Sequence, residues 1–115
     1  MDIESWKAQL RKGAAELAVL AVLERGDDYG LSILESVQGQ GGLQISEGSI
    51  YPLLNRLQND DKIAARWVEE EGASHPRKYY TLTDGGRAFL KEMKEGWGLF
   101  QRDMSAILGQ EPSHA

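Results

Sequence analysis

The chain has no cysteine and only two histidines among its 115 residues. Without cysteine, a disulfide framework and a thiolate metal site are both excluded, and nothing points to an oxidising compartment. His75 and His114 stand far apart, with no acidic partner at ligand spacing, so no metal is expected. No apolar stretch approaches the roughly 18 residues of a membrane span. The longest one, 14–23, is short and holds Glu16. The opening Met1-Asp2-Ile3-Glu4 is acidic and lacks a basic region followed by an apolar run, so a secretory signal is not expected and a cytoplasmic protein is. Internal repeats, low-complexity segments and Pro/Ser-rich linkers are all missing. So are a nucleophile with a base at hand and a Gly-rich phosphate loop after a strand. The paired carboxylates Asp27-Asp28 and Asp60-Asp61 fall at helix ends, where caps and turns account for them. Neither an enzyme nor a cofactor is expected. Positive charge is also short: 13 Lys and Arg against 18 Asp and Glu leave a net charge of -5. That balance weighs against nucleic-acid binding unless the basic residues cluster locally.

What is present is 41% apolar residues in a length suited to one domain with one core. The spacing predicts a first helix over 3–25, with Ile3, Trp6, Leu10, Gly13, Leu17 and Leu20 in a stripe that buries much of it. Gly26 is its expected C-cap. A second helix is expected from an Asp28 N-cap to Val37, burying Leu31, Ile33, Leu34 and Val37. A third opens at Ser46 with Ile50, Leu53, Leu54 and Leu57 at i, i+3, i+4, i+7. Pro52 lies inside it and cannot donate to the Gly48 carbonyl, so a kink or a start nearer Ser49 is expected. Segments 63–70 and 77–82 read as a β-hairpin around the turn chemistry of 71–76. Thr83 then caps a helix to Leu108, on which Leu90, Met93, Trp97, Phe100, Met104 and Ile107 form an a/d seam of the kind that pairs helices between subunits.

Helix, glycine turn, helix and hairpin is the winged helix-turn-helix order: a mainly α fold with a small β-hairpin and long N-terminal and C-terminal helices. The third helix is expected in the major groove, with the hairpin as the wing. Opposite its apolar stripe stand Ser49, Tyr51, Pro52, Asn55 and Arg56. Arginine and asparagine make bidentate contacts with guanine and adenine. Hydroxyls hold phosphates and fix register, and Gly48 allows close approach at a helix N-terminus that favours an anion. Arg66, Arg77 and Lys78 lie at the base of the wing. Glu69-Glu70-Glu71 sits at its tip, so only the base is expected to touch DNA. The other acids, Glu16 to Glu35, are expected away from the DNA face.

The run Gly48-Ser49-Ile50-Tyr51-Pro52-Leu53-Leu54-Asn55-Arg56-Leu57 resembles the recognition helix of the PadR family, the phenolic acid decarboxylase regulators. Tyr29-Gly30-Leu31-Ser32-Ile33, Arg77-Lys78-Tyr79-Tyr80-Thr81-Leu82-Thr83 with Gly86-Arg87, and Leu10-Arg11-Lys12-Gly13 are similar to the family in the same order. The resemblance covers about Trp6 to Leu108. It implies a dimeric, usually repressive regulator of double-stranded DNA, in the short form with one C-terminal dimerisation helix. The corresponding division is 1–82 for DNA, 83–108 for dimerisation and 109–115 as a flexible tail. Some members stack flat aromatic drugs on a tryptophan of the last helix. By that likeness Trp97, with Phe100 and Trp6, is the candidate site for a small aromatic effector. Where the family has glycine after the recognition helix this chain has Asp61, a residue that tolerates a left-handed conformation. A winged helix that binds protein instead of DNA is the alternative.

Overall fold

The computed structural model describes residues 1–110. The elements in chain order are α1 (Ile3–Glu24), β1 (Asp28–Tyr29), α2 (Gly30–Gln38), α3 (Glu47–Asn59), β2 (Ile63–Val68), β3 (Arg77–Leu82) and α4 (Asp84–Leu108). The three strands form one antiparallel sheet in the order β1-β3-β2. The winged helix-turn-helix order is therefore present, with one strand more than the hairpin requires.

That extra strand corrects the start of the second helix. Asp28 was expected as an N-cap, but Asp28 and Tyr29 pair with Tyr80 and Tyr79 of β3 and are extended. Tyr29 is the residue before α2, with no side-chain cap. The Asp28 carboxylate still accepts from the Ser32 hydroxyl at 2.8 Å, holding the first turn from one residue further out. A two-residue strand has no periodicity to detect, and only its partner makes it a strand. Gly26 likewise stands one residue beyond the cap of α1, which is Arg25, and has φ 154.

α3 begins at Glu47 with Ser46 before it and continues through Pro52, so the start does not retreat toward Ser49. Ile50, Leu53, Leu54 and Leu57 are all buried, as the spacing requires. They meet Val19, Leu20 and Leu23 of α1, Ile33, Leu34 and Val37 of α2, and Ile63, Tyr80, Leu82 and Leu90. Leu31, expected in the core, is 45% exposed. Among the described residues no charged or polar side chain is buried.

The two long helices bury only the ends that reach this core. In α1, Val19, Leu20 and Leu23 are buried, whereas Ile3, Trp6 and Leu10 are half exposed or more. The expectation that much of this helix is buried therefore holds only for its C-terminal part. In α4, Leu90 is spent inside the chain's own core, while Trp97, Phe100, Met104 and Ile107 lie open. α4 closes at Gly109, whose φ of 72 lets the Gln110 N–H reach the Ser105 carbonyl at 2.8 Å. The expected flexible tail lies outside the described residues from residue 111 onward, and His114 with it.

A tight junction sets the direction of α4. Asp61 ends α3 in the left-handed region at φ 58, as the sequence led us to expect of the residue in the family's glycine position. Its carbonyl accepts from the Thr83 hydroxyl at 2.6 Å, and that oxygen in turn accepts from the Gly86 N–H at 2.9 Å. The Gly86 backbone lies so close to Lys62 that an added Cβ would stand 1.9 Å from the Lys62 carbonyl oxygen. Gly86→Ala is therefore expected to destabilise the fold by about 1–3 kcal/mol through overpacking against backbone, measured as a lower midpoint in urea unfolding.

Candidate nucleic-acid interface

α3 has a fully buried stripe on one side and an open face on the other. Ser49, Tyr51, Pro52, Asn55 and Arg56 are all exposed, so the five side chains expected on one helix face are found there. At the N-terminal end, the Ser46 hydroxyl donates to the Ser49 hydroxyl at 3.1 Å. Tyr51 rests against another helix. A Cβ added at Gly30 would lie 2.6 Å from its ring, so the start of α2 forms a floor for the tyrosine and leaves its edge free. This contact explains why glycine stands at 30.

Arg56 sits at the flank of this face that adjoins α1. Its Nε lies 4.0 Å from the Glu16 carboxylate. Glu16 thus approaches the candidate interface, contrary to the expectation that the acids of 16–35 lie away from it. Asp27 departs from that expectation in the same way: Arg66 Nη2 donates to its Oδ2 at 2.9 Å. The Thr81 hydroxyl, and next the Arg66 guanidinium, hold the Asp27 carboxyl below its ordinary range.

The strand register divides the three basic residues of the wing. Arg66 faces Tyr79, and Val68 faces Arg77, on the outer side of the sheet. Lys78 faces Trp67 and belongs to the other side, where its ammonium lies 5.6 Å from the Tyr80 ring. Neighbours on a strand point to opposite faces, so the Arg77-Lys78 pair cannot act as one patch. On the outer side Arg77 donates to Glu70 at 3.4 Å. Tyr79 donates its phenolic hydrogen to the same carboxylate. That bond raises the Tyr79 phenol above its ordinary value of 10.0. Burial raises Tyr80 as well. Glu70 folds back from the acidic loop onto the loop end of the strands, where Val68 and Arg77 form the last rung of the ladder, so Arg77 and Lys78 lie nearer the wing tip than its base. Trp67, which with Val68 gives the first hairpin strand its aromatic and β-branched centre, is 69% exposed. The register puts it on the face that holds Ile63 and Tyr80, and only its exposure shows that the core does not extend that far along the hairpin.

At the far end of the molecule, Trp97 stacks on Phe100 with ring centroids 5.7 Å apart and planes 23° apart. Trp97 also lines an open groove of about 380 Å³ with Leu10, Arg11, Ala14, Leu43 and the Gln40–Gly42 turn. Trp6 and Phe100 are not among its lining residues. A smaller hollow of about 200 Å³ in the wing loop holds His75 beside Glu69 and Glu70. Among the described residues no group of three metal-ligating side chains forms, and no helix is long and apolar enough to cross a membrane.

The family model for PadR-like transcriptional regulators matches residues 19–92. The transcriptional regulator YqjI of Escherichia coli is 33% identical over 107 residues, covering 87% of this chain and 49% of the relative. The chain thus spans about half the length of the curated relatives it matches first. A PadR family transcriptional regulator from Eggerthella lenta superposes with a TM-score of 0.80 at 31% identity, over 95% of this chain and 94% of that one. The Bacillus subtilis PadR protein, solved in complex with operator DNA, superposes with a TM-score of 0.64 at 28% identity, over 70% of this chain and 45% of its own.

The hydroxyl–carboxylate bond gives the wing a pH dependence of definite sign. A phenol held above its unfolded value stabilises the fold below pH 10.0 and loses that contribution as pH rises through its folded value. Tyr79→Phe is expected to remove one late-titrating phenolate from the ultraviolet titration and to flatten the alkaline limb of thermal stability against pH.

Proposed function

The chain belongs to the PadR-like family of transcriptional regulators, and on that premise we propose that it is a cytoplasmic, sequence-specific DNA-binding repressor acting as a homodimer on a palindromic operator. The observation that carries this proposal is the division of α3. One face is wholly committed to the core, and the opposite face holds Ser49, Tyr51, Pro52, Asn55 and Arg56, all of them exposed. A helix anchored so firmly on one side, with amide, guanidinium and hydroxyl groups on the other, suits insertion into the major groove. The operator complex of the Bacillus subtilis relative supports the same use of the fold. At the wing, Arg66, Arg77 and Lys78 serve as phosphate contacts, with Arg66 and Arg77 on one side of the sheet and Lys78 on the other.

Residues 1–82 then carry the DNA and 83–108 the pairing of subunits. Two exposed apolar regions support dimerisation: Ile3, Trp6 and Leu10 on α1, and Trp97, Phe100, Met104 and Ile107 on α4, beyond Met93, which is half-buried against the chain's own core. Their exposure in the single chain is costly in water and is relieved by a second copy. Pairing along α4 sets two recognition helices on successive major grooves about 34 Å apart. A flat aromatic effector at Trp97 is the release signal in this proposal. The groove beside that ring is large enough for a small ligand, since pockets begin near 300 Å³.

Fluorescence anisotropy against the DNA upstream of the protein's own gene tests the proposal. Binding is expected to weaken steeply with salt, and Arg56→Ala to cost about 1–3 kcal/mol. Absence of binding at low salt would favour a winged helix that recognises protein. Light scattering is expected to give twice the chain mass, and Phe100→Asp to give a monomer with greatly reduced DNA affinity; a monomeric native chain would remove the two-groove geometry.

A further inference from the structure

The outer face of the sheet carries a row of side chains that stability does not account for. Arg66 on β2, Tyr79 on β3 and Tyr29 on β1 stand opposite one another across three strands. Arg77 lies two residues before Tyr79 on the same face. The Arg66 guanidinium carbon is 5.6 Å from the Tyr79 ring centre, and that of Arg77 is 4.4 Å from the Tyr29 ring centre. The two rings meet edge to face at 5.4 Å and 63°. Each guanidinium is also held by one carboxylate, Arg66 by Asp27 at 2.9 Å and Arg77 by Glu70 at 3.4 Å. These ion pairs are half exposed, and such pairs add little to folding. What they do restrict is the rotamer freedom of two long side chains.

We propose that Asp27 and Glu70, with the Tyr29–Tyr79 pair between them, are positioning residues that hold Arg66 and Arg77 in the orientation in which they meet the DNA backbone. Each carboxylate engages a single terminal nitrogen, Nη2 of Arg66 and Nη1 of Arg77. The remaining N–H donors of each guanidinium stay available to a phosphate. An aromatic ring under the guanidinium fixes its plane without consuming a donor. The ordering cost of two arginines is then met in the free protein instead of on binding. The proposal rests on the reading that these arginines touch DNA.

The sign of one substitution separates positioning from plain electrostatics. Removing a carboxylate beside a phosphate-binding face strengthens binding if charge alone matters. If Asp27 positions Arg66, Asp27→Asn weakens binding by about three- to tenfold despite the added positive charge. The measurement is anisotropy of the full chain with a fluorescein-labelled duplex, of upstream and of mixed sequence, at low salt. Arg66→Ala and the double variant are titrated alongside. Support requires that Arg66→Ala weakens binding and lowers the salt slope by about one phosphate, and that Asp27→Asn adds no loss in the Arg66→Ala background. Weaker binding by Arg66→Ala with unchanged or tighter binding by Asp27→Asn overturns the positioning role and leaves the DNA contact standing. Unchanged binding by both Arg66→Ala and Arg77→Ala removes the contact itself, and the proposal with it. Glu70→Gln in the wing loop carries the same test of sign for Arg77, should Asp27→Asn lower the melting temperature into the assay range.

Discussion

The close approach of Gly86 to the Lys62 carbonyl is the constraint on which the geometry of this molecule depends. It lets α4 start directly against the turn that ends α3 and begins β2. The Thr83 hydroxyl reinforces the junction from both sides, donating to Asp61 and accepting from Gly86. Because backbone meets backbone there, a side chain at position 86 would force the start of α4 away from the turn that follows α3. In the proposed dimer, pairing through α4 would make the angle between α3 and α4 set where each α3 falls along the duplex. The left-handed residue at the same junction is aspartate, which tolerates that conformation at a modest cost.

A net charge of -5 weighs against the proposed nucleic-acid partner, so the placing of the acids beside the arginines matters. The acids are not segregated from the arginines. Glu16, Asp27 and Glu70 each stand beside one of Arg56, Arg66 and Arg77. Every guanidinium keeps free donors in these pairs, because a carboxylate at one nitrogen leaves the rest of the fork open. The carboxylates lower the positive charge that these arginines present, so open hydrogen-bond donors, not a surplus of charge, are what they offer to an anion.

The long helices show why a periodic pattern is an incomplete guide to burial. The stripe of α1 and the seam of α4 are as regular as that of α3, yet only α3 buries its stripe throughout. Trp6, Leu10, Trp97 and Phe100 obey the same spacing and stay exposed because the single chain has nothing to place over them. An apolar stripe encodes the need for a partner surface without saying whether that surface lies in the same chain. The division of α4, with Leu90 inside and the residues beyond Met93 outside, became visible only once the core had a boundary.

The order of the four helices and the hairpin, the two faces of α3 and the cap at Thr83 were legible from residue types and spacing, and the left-handed residue at Asp61 from the family resemblance. Each is decided within a few residues, by a steric preference or a hydrogen bond to a near neighbour. The two-residue strand β1, the floor that Gly30 provides for Tyr51, and the carboxylates beside Arg56 and Arg66 were not legible. They join positions as far apart as 27 and 66, or 30 and 51. No local rule reports such a contact, because it exists only when the core has brought the distant segments together.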